Sequence, residues 1–309
     1  MKGCFEMEIM KINNLTKKYG SLTAVNNISF SVKKGELLGF LGVNGAGKST
    51  TINMLSTLIS PDSGTAEICG FRLEDQDSQI RRRIGIVYQN NSLDGLMTVR
   101  ENLLCRGILH GADRSQAKKR LQELSSIFSL DELLKKSYRT LSGGQKRRCE
   151  IAAALMHTPE ILFLDEPTTG LDPATRKEVW ETIDTLRKNT EMTVFLTTHY
   201  MEEAAQAGRI IIISKGSIIA EGSPNELKTQ YAADTLRLYC DKEKIPQLKK
   251  GLHKATETDT GIQLRIASTM DALPILTQVK DIISGFEVIQ GTMDDVFLAA
   301  VGDEMKGDK

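Results

Sequence analysis

The chain lacks both a long apolar run and a net charge. None of its hydrophobic stretches approaches the roughly 18 residues that a membrane-spanning helix needs. Its 40 basic and 40 acidic residues balance, so the sequence-independent attraction on which most nucleic-acid-binding proteins depend is absent. We therefore predict a protein that is not embedded in a membrane and has no nucleic-acid partner.

Disulfide bonds and cysteine metal sites are not expected either. The five cysteines are odd in number, scattered, and never at C-x-x-C spacing, which is typical of small apolar residues in a reducing compartment. The first 14 residues carry Glu6 and Glu8 where a signal peptide would have its apolar core. Met7 and Met10 precede the first strand pattern, so the residues before them are either a lead-in or an upstream start. We expect a cytosolic protein.

A glycine-rich turn follows the apolar strand at residues 37–41. The turn fills the pattern G-x-x-x-x-G-K-[ST]. It consists of Gly42, Val43, Asn44, Gly45, Ala46, Gly47, Lys48, Ser49 and Thr50. Backbone N–H groups of such a turn and the helix after it form a phosphate site. We predict that Lys48 reaches the β- and γ-phosphates of a nucleotide and that the Ser49 hydroxyl binds Mg²⁺.

A second apolar strand, at residues 161–164, ends in two acids, Asp165 and Glu166. Ligands of parallel sheets bind at the carboxyl ends of the strands. Alone, this pair would be interpreted as two solvated acids. Enzymes that bind phosphates with a glycine-rich turn of this kind, the P-loop, need an acid at such a strand end. We predict that Asp165 holds Mg²⁺ or its water and that Glu166 orients and deprotonates the water that attacks the γ-phosphate.

Strands alternate with helices over most of the chain, which predicts an α/β fold with a mainly parallel sheet. Residues 8–32 read as an antiparallel β part, and residues 92–140 as a helical insertion that begins with a Thr98–Glu101 capping box. Ile52, Leu55 and Ile59 predict a helix after the glycine-rich turn. We predict an ATPase domain at residues 8–232 and a small C-terminal α+β module of βαβ type, in the order βαβαβα, at residues 233–304.

The pentapeptide Leu141-Ser142-Gly143-Gly144-Gln145 lies between the glycine-rich turn and the acidic strand. It resembles the signature of ATP-binding cassette (ABC) transporter ATPases, and residues 10–232 are similar to that cassette motif by motif. A Ser-Gly-Gly turn that opens a helix is an anion site. In the family this turn closes over the ATP of the opposite subunit, so the resemblance implies a nucleotide-driven dimer of two copies or of this chain with a sister cassette.

The resemblance also implies roles for four further residues. Tyr19 matches the aromatic residue that stacks on adenine, and Gln89 the Q-loop glutamine that touches Mg²⁺ and responds to the membrane partner. Asp172 belongs to the D-loop, and His199 matches the switch histidine that contacts the γ-phosphate. With Lys48, Glu166 and the signature residues Ser142, Gly143, Gly144 and Gln145, these form the predicted site for ATP and Mg²⁺.

Two segments resemble the daunorubicin-type branch of drug exporters, namely residues 89–103 and the tail at residues 292–298. The resemblance implies the ATPase subunit of an exporter of a drug-like or hydrophobic compound. Such a subunit lies on the inner face of the cell membrane and is held there by a separate polytopic permease.

Two alternatives have different functions. A soluble cassette could act on DNA or ribosomes without a permease, but the chain has one cassette, no coiled-coil-length insertion and no basic excess. A non-hydrolysing regulatory cassette is disfavoured by the intact Asp165–Glu166 pair.

The basic runs at residues 81–83 and 146–148 are interpreted as solvated faces.

Overall fold

The computed structural model describes residues 7–252 and 254–307, without the side chains at 188, 189 and 303–307. The described chain forms two compact units. The first runs up to Tyr200 and includes Ala207–Ile218, and the second holds Met201–Gln206 and the described residues from Ile219 onward. No helix in these ranges is both long and apolar enough to cross a bilayer. The predicted lead-in before Met7 lies outside them.

The strands are bounded as follows: β1 Glu8–Tyr19, β2 Leu22–Lys33, β3 Leu37–Leu41, β4 Ser63–Ile68, β5 Phe71–Arg72, β6 Ile84–Val87, β7 Ile161–Asp165, β8 Thr193–Thr198, β9 Arg209–Ser214, β10 Ser217–Gly222, β11 Asp234–Tyr239, β12 Thr256–Thr258, β13 Gly261–Ile266 and β14 Gly285–Ile289. The helices are α1 Lys48–Leu55, α2 Asp77–Arg81, α3 Val99–Leu109, α4 Arg114–Phe128, α5 Gly143–Ala154, α6 Pro173–Thr190, α7 Met201–Ala204, α8 Pro224–Tyr231, α9 Ile245–Gly251, α10 Ala272–Val279 and α11 Met293–Gly307.

The first unit contains one antiparallel and one mainly parallel sheet. The antiparallel sheet has the order β2-β1-β4-β5. In the second sheet, β9-β3-β8-β7-β6 are parallel neighbours. The first two residues of β10 belong to this unit and continue the sheet past β9. This arrangement confirms the predicted mixed α/β cassette.

An aromatic cluster joins the two sheets of the first unit. The ring of Phe195 in β8 lies 5.4 Å from those of Phe40 and Phe163 and 6.2 Å from that of Phe30 in β2. All four side chains are buried, and such tilted aromatic contacts add to the gain from burying the rings. The antiparallel sheet is therefore fixed against the sheet whose strand ends carry the predicted site.

The helical insertion begins as predicted, with hydrogen bonds in both directions between Thr98 and Glu101. Helix α4 has a second capping box, formed by Asp113 and Gln116. The predicted helix after the glycine-rich turn ends earlier than expected, at Leu55. Ile59 lies beyond it in a turn, although its side chain still packs on the core.

The second unit differs from the predicted βαβ-type module. Its sheet has the order β12-β13-β11-β14, and every neighbouring pair is antiparallel. The predicted βαβαβα order lacks β12, a three-residue strand that pairs with β13 as a hairpin. Helices α9 and α10 cover one face of the sheet, and α8 packs against α11. A local apolar pattern indicates that a strand exists but does not specify its direction of pairing.

A stacked pair of histidines lies where α3 and α5 end. The rings of His110 and His157 are 3.9 Å apart and nearly parallel, and His157 Nε2 is 2.9 Å from the Ile84 carbonyl. Burial, followed by the nearby His110, lowers the pKa of His157 from 6.5 to about 4. His157 is therefore neutral at pH 7 and can donate its Nε2 proton to that carbonyl.

We expect the fold to lose stability as the pH falls from about 6.5 towards 4, because the unfolded chain binds a proton at His157 that the folded chain resists. The loss from this group is on the order of 3 kcal/mol. His157→Gln, which keeps a hydrogen-bond donor but does not titrate, should lose less stability than the wild type between pH 7.5 and 5. Urea unfolding at both pH values measures this difference. Equal losses in the two proteins would contradict the prediction.

Candidate functional site

The glycine-rich turn after β3 is held closely against neighbouring backbone. A Cβ on Gly42 would lie 2.6 Å from the Ile213 carbonyl oxygen, and one on Gly47, whose φ is 111°, would lie 2.5 Å from that of Ala24. Only glycine fits at these two positions. The turn can therefore lie against β9 and β2 while Val43, Asn44 and Gly45 remain exposed at its tip.

Lys48 is buried at the first position of α1, with 5% of its surface exposed. Its ammonium group donates to the carbonyls of Gly42 at 2.8 Å and Val43 at 3.3 Å, and it lies 3.5 Å from Glu166 Oε1. Ser49 is exposed, and its hydroxyl is 3.4 Å from Asp165 Oδ1. The turn and the acidic strand end therefore lie next to each other.

The Glu166 carboxylate lies among side chains from several strand ends. Its Oε2 is 3.2 Å from His199 Nδ1, which makes no hydrogen bond, and 3.4 Å from Gln89 Nε2. The Thr169 hydroxyl donates to the same oxygen at 3.2 Å. Lys48, Gln89, Glu166 and His199 are thus brought together, and each follows a different strand of the parallel sheet.

Glu166 has a φ of 47°, in the left-handed region that non-glycine residues seldom occupy. Its amide donates to the Thr197 carbonyl at 3.0 Å and lies 3.2 Å from the Thr197 hydroxyl. That hydroxyl also donates to Asp165 Oδ1 at 2.5 Å. Backbone strain of this kind persists where the surroundings impose it and is concentrated at functional sites. Thr197, which was not predicted from the sequence, therefore holds the Asp165 carboxylate and the Glu166 backbone in place.

The signature turn is the N-terminus of α5. The Ser142 hydroxyl accepts a hydrogen bond from the Gln145 amide at 3.3 Å, and the Gln145 side chain accepts one from the Ser142 amide at 3.1 Å. A Cβ on Gly144 would lie 2.2 Å from Thr175 Cγ2, and one on Gly143 would lie 3.5 Å from Leu171. The signature turn is therefore packed closely on the D-loop and the start of α6 of its own chain.

Two further predicted residues lie apart from these contacts. Tyr19 is half exposed at the end of β1, with the Lys17 ammonium 5.8 Å from the centre of its ring. Asp172 caps α6 by accepting hydrogen bonds from the Thr175 amide and hydroxyl, and these bonds lower its pKa. The structure gives no direct contact between either residue and Glu166.

The interpretation of residues 146–148 as a solvated face is wrong for Arg147. Its side chain is 5% exposed and donates to the carbonyls of Tyr88, Asp165 and Pro167. Glu150, one turn further along α5, is also buried and was not predicted as a site residue. The run at residues 81–83 is exposed, as predicted. A run of basic residues in the sequence does not distinguish a solvated arginine from a buried one.

The position of Cys149 agrees with the prediction that the cysteines act as small apolar residues. The side chain is buried in α5, and burial raises the pKa of its thiol to about 12. The other cysteines of the described ranges are also free thiols. Cys4 lies outside those ranges.

Comparison with known proteins identifies the family. The model of the ABC transporter family matches residues 25–169, and that of the DrrA1-3-like ATP-binding protein C-terminal domain matches residues 222–301. The chain is 39% identical over 305 residues to the daunorubicin/doxorubicin resistance ATP-binding protein DrrA of Streptomyces peucetius, covering 95% of this chain and 92% of that protein. It is 44% identical over 229 residues to the linearmycin resistance ATP-binding protein LnrL of Bacillus subtilis, covering 74% and 73%.

A solved structure shows the same fold. A dimeric post-hydrolysis state of the ATP-binding cassette MJ0796, bound to ADP and Pi, aligns with a TM-score of 0.64 at 30% identity, over 69% of this chain and 98% of that one. The chain therefore belongs to the ABC transporter ATP-binding proteins, a family that hydrolyses ATP. The predicted family and its drug-resistance branch are confirmed.

Replacing Thr197 by valine is expected to destabilise the fold by about 1–3 kcal/mol, because the buried Asp165 carboxylate loses its hydroxyl donor while the side-chain shape is kept. Urea unfolding would measure this loss. Thr185→Val is the matched control, since Thr185 is exposed and donates only to a helix carbonyl. Equal stability of the two variants would contradict the role of Thr197.

Proposed function

We propose that this protein is the ATP-hydrolysing subunit of an exporter that drives a drug-like or hydrophobic compound through a separate polytopic permease. The observation that carries the proposal is the placement of Lys48, Gln89 and His199 around the Glu166 carboxylate. The compound class is supported by relatives named for resistance to daunorubicin, doxorubicin and linearmycin. The alternative of a soluble cassette acting on DNA or ribosomes has no comparable support.

In the proposed mechanism Lys48 neutralises charge on the β- and γ-phosphates, which the turn from Gly42 to Thr50 cradles through its backbone N–H groups. Glu166 orients the attacking water and accepts its proton, since its carboxylate faces the same space as the Lys48 ammonium. His199 contacts the γ-phosphate, and Gln89, whose side chain lies 3.4 Å from Glu166, touches Mg²⁺ and responds to the permease. Tyr19 stacks on the adenine, which its half-exposed ring permits.

The proposed Mg²⁺ ligands are Ser49, Asp165 and Gln89. No group of three or more His, Cys, Asp or Glu side chains within the described ranges could hold a metal ion. The proposed set instead offers hydroxyl, carboxylate and amide oxygens, which are the hard donors that Mg²⁺ prefers. When held by these residues, Mg²⁺ would neutralise negative charge on the phosphates of the nucleotide.

We also propose that the site is completed by a second cassette, either another copy or a sister subunit. The helix N-terminus at Ser142, Gly143, Gly144 and Gln145 can bind an anion, and Asp172 stands beside it at the start of α6. The structurally similar MJ0796 cassette is dimeric. ATP binding would close the dimer and hydrolysis would reopen it. In this proposal the protein works on the cytoplasmic face of the membrane, beside its permease.

The division into an ATPase domain at residues 8–232 and a C-terminal module at residues 233–304 is part of the proposal. The switch from helix α8 to strand β11 at residues 232–234 supports a boundary there. The packing of α8 on α11 instead favours a boundary before α8. The C-terminal module would either stabilise or regulate the dimer.

Replacing Glu166 by glutamine tests the proposed chemistry. We expect ATP binding to persist, hydrolysis to fall roughly 10²- to 10⁴-fold because the general base is lost, and an ATP-bound dimer to accumulate. ATPase assays and size-exclusion chromatography with ATP would measure this. Glu160→Gln is the control, because Glu160 pairs with Arg83 outside the site. Hydrolysis by Glu166→Gln at the wild-type rate would show that Glu166 is not the base.

Drug export is tested in cells that express the chain together with any polytopic membrane protein found to be encoded beside its gene. We expect lower accumulation of daunorubicin, a representative hydrophobic drug, with the wild type than with Glu166→Gln, because efflux needs hydrolysis. Cellular fluorescence of the drug gives the measurement. Unchanged accumulation together with co-sedimentation of the chain with ribosomes or DNA would favour the soluble alternative.

A further inference from the structure

Helix α5 carries two buried charges one turn apart. Arg147 is 5% exposed and Glu150 is 3% exposed, and residues three apart lie on the same side of a helix. Burying a charge is costly unless hydrogen bonds replace the lost water. Both side chains have such partners, and all of the partners except Tyr138 lie in the segments that carry Gln89 and Glu166.

Arg147 binds backbone on either side of the proposed catalytic residues. Its Nη1 donates to the Tyr88 carbonyl at 2.6 Å, directly before Gln89. Its Nη2 lies 3.4 Å from the carbonyl of Asp165, and its Nε donates to that of Pro167. The last two carbonyls flank Glu166. The planar guanidinium has its donors in a fixed fork, so one side chain can hold both segments at once.

Glu150 binds the chain on the other side of Gln89. Its carboxylate accepts hydrogen bonds from the amides of Ser92 at 2.8 Å and Leu93 at 3.1 Å. It also accepts from the Ser92 hydroxyl at 2.7 Å and the Tyr138 hydroxyl at 2.7 Å. Residues 88–93 are thus fastened to α5 at both ends, with Gln89 between the two attachments.

We propose that Arg147 and Glu150 are positioning residues that fix Gln89 and Glu166 relative to the signature helix α5, and we call this pair the Arg147–Glu150 clamp. The inference rests on the proposed function, in which the first turn of α5 binds the nucleotide of a second cassette. A shift of α5 on binding that nucleotide would be passed through the clamp to Gln89, 3.4 Å from Glu166. The clamp thereby connects occupancy of one nucleotide site to hydrolysis at the other.

The neighbouring basic residue provides a contrast. Arg148 is partly exposed, and its Nη1 is 3.4 Å from the Phe128 carbonyl at the end of α4. That contact joins α5 to the helical insertion, and no contact of Arg148 with residues 88–93 or 165–167 is described. Arg148→Lys therefore changes the same residue type on the same helix turn without touching the clamp.

The clamp is tested in the full chain with Arg147→Lys, Glu150→Gln and the control Arg148→Lys. We expect kcat for ATP hydrolysis to fall at least tenfold in both clamp variants, because Gln89 and Glu166 lose their alignment. The Kd for ATP should stay within twofold of the wild type, because Lys48 and the glycine-rich turn are unchanged. The control should keep both values. The double variant Arg147→Lys/Glu150→Gln should lose less than the product of the single losses, since the two residues act on one segment.

Ser92→Ala covers the case in which a clamp variant fails to fold. It removes one of the four hydrogen bonds to Glu150 and leaves both amide donors. We expect a severalfold loss of kcat at an unchanged Kd, together with a lower urea midpoint, because the buried Glu150 carboxylate loses one of its donors. An unchanged kcat in Ser92→Ala, or kcat within twofold of the wild type in a folded clamp variant, would overturn the clamp. A parallel fall of kcat, ATP affinity and urea midpoint would do the same, since it marks a purely structural role.

Failure of the clamp can be distinguished from failure of the proposed function. Wild-type hydrolysis that Glu166→Gln abolishes supports the proposed function whatever the clamp variants do. A wild-type chain that hydrolyses no ATP, alone or with its permease, would overturn the proposed function and the clamp together.

Discussion

The Glu166 carboxylate is the group on which the geometry of the candidate site depends. Its backbone occupies the left-handed region and is held there by two contacts of its amide with Thr197. Its two oxygens lie within 3.5 Å of Lys48, Gln89 and His199. These residues follow β3, β6 and β8, so the parallel sheet brings them together because its carboxyl ends lie along one edge.

The glycine-rich turn and the signature turn obey the same physical constraint at different places in the fold. Each opens a helix whose first N–H groups have no partner within the helix, and such groups favour the binding of an anion. The first lies beside Glu166, whereas the second lies on the D-loop and α6 of its own chain. The separation of the two turns within one chain is expected if the cassette binds its nucleotide between two chains, with the glycine-rich turn from one chain and the signature turn from the other.

The buried charges of α5 show why packing must be known before a charged residue is interpreted. Lys146, Arg147 and Arg148 form one basic run in the sequence. In the fold, however, Arg147 is buried and binds three backbone carbonyls. Nothing in the local pattern distinguishes it, because its acceptors lie just after β6, at the end of β7 and just after β7, between 18 and 59 residues away in sequence. The same limit applies to β12, whose pairing with β13 depends on a hairpin and not on periodicity.

The sequence by itself determined the family, the order of the main elements and the residue types of the candidate nucleotide site. These features depend on local rules: the glycine spacing of a phosphate turn, the caps of Thr98 and Ser142, and an acidic strand end. Only the tertiary structure decided how the pieces are joined. In the tertiary structure Thr197 contacts both Asp165 and Glu166, Arg147 is buried, and the C-terminal sheet is antiparallel. The physical reason is that hydrogen-bond partners and burial depend on contacts between distant segments, which no local pattern records.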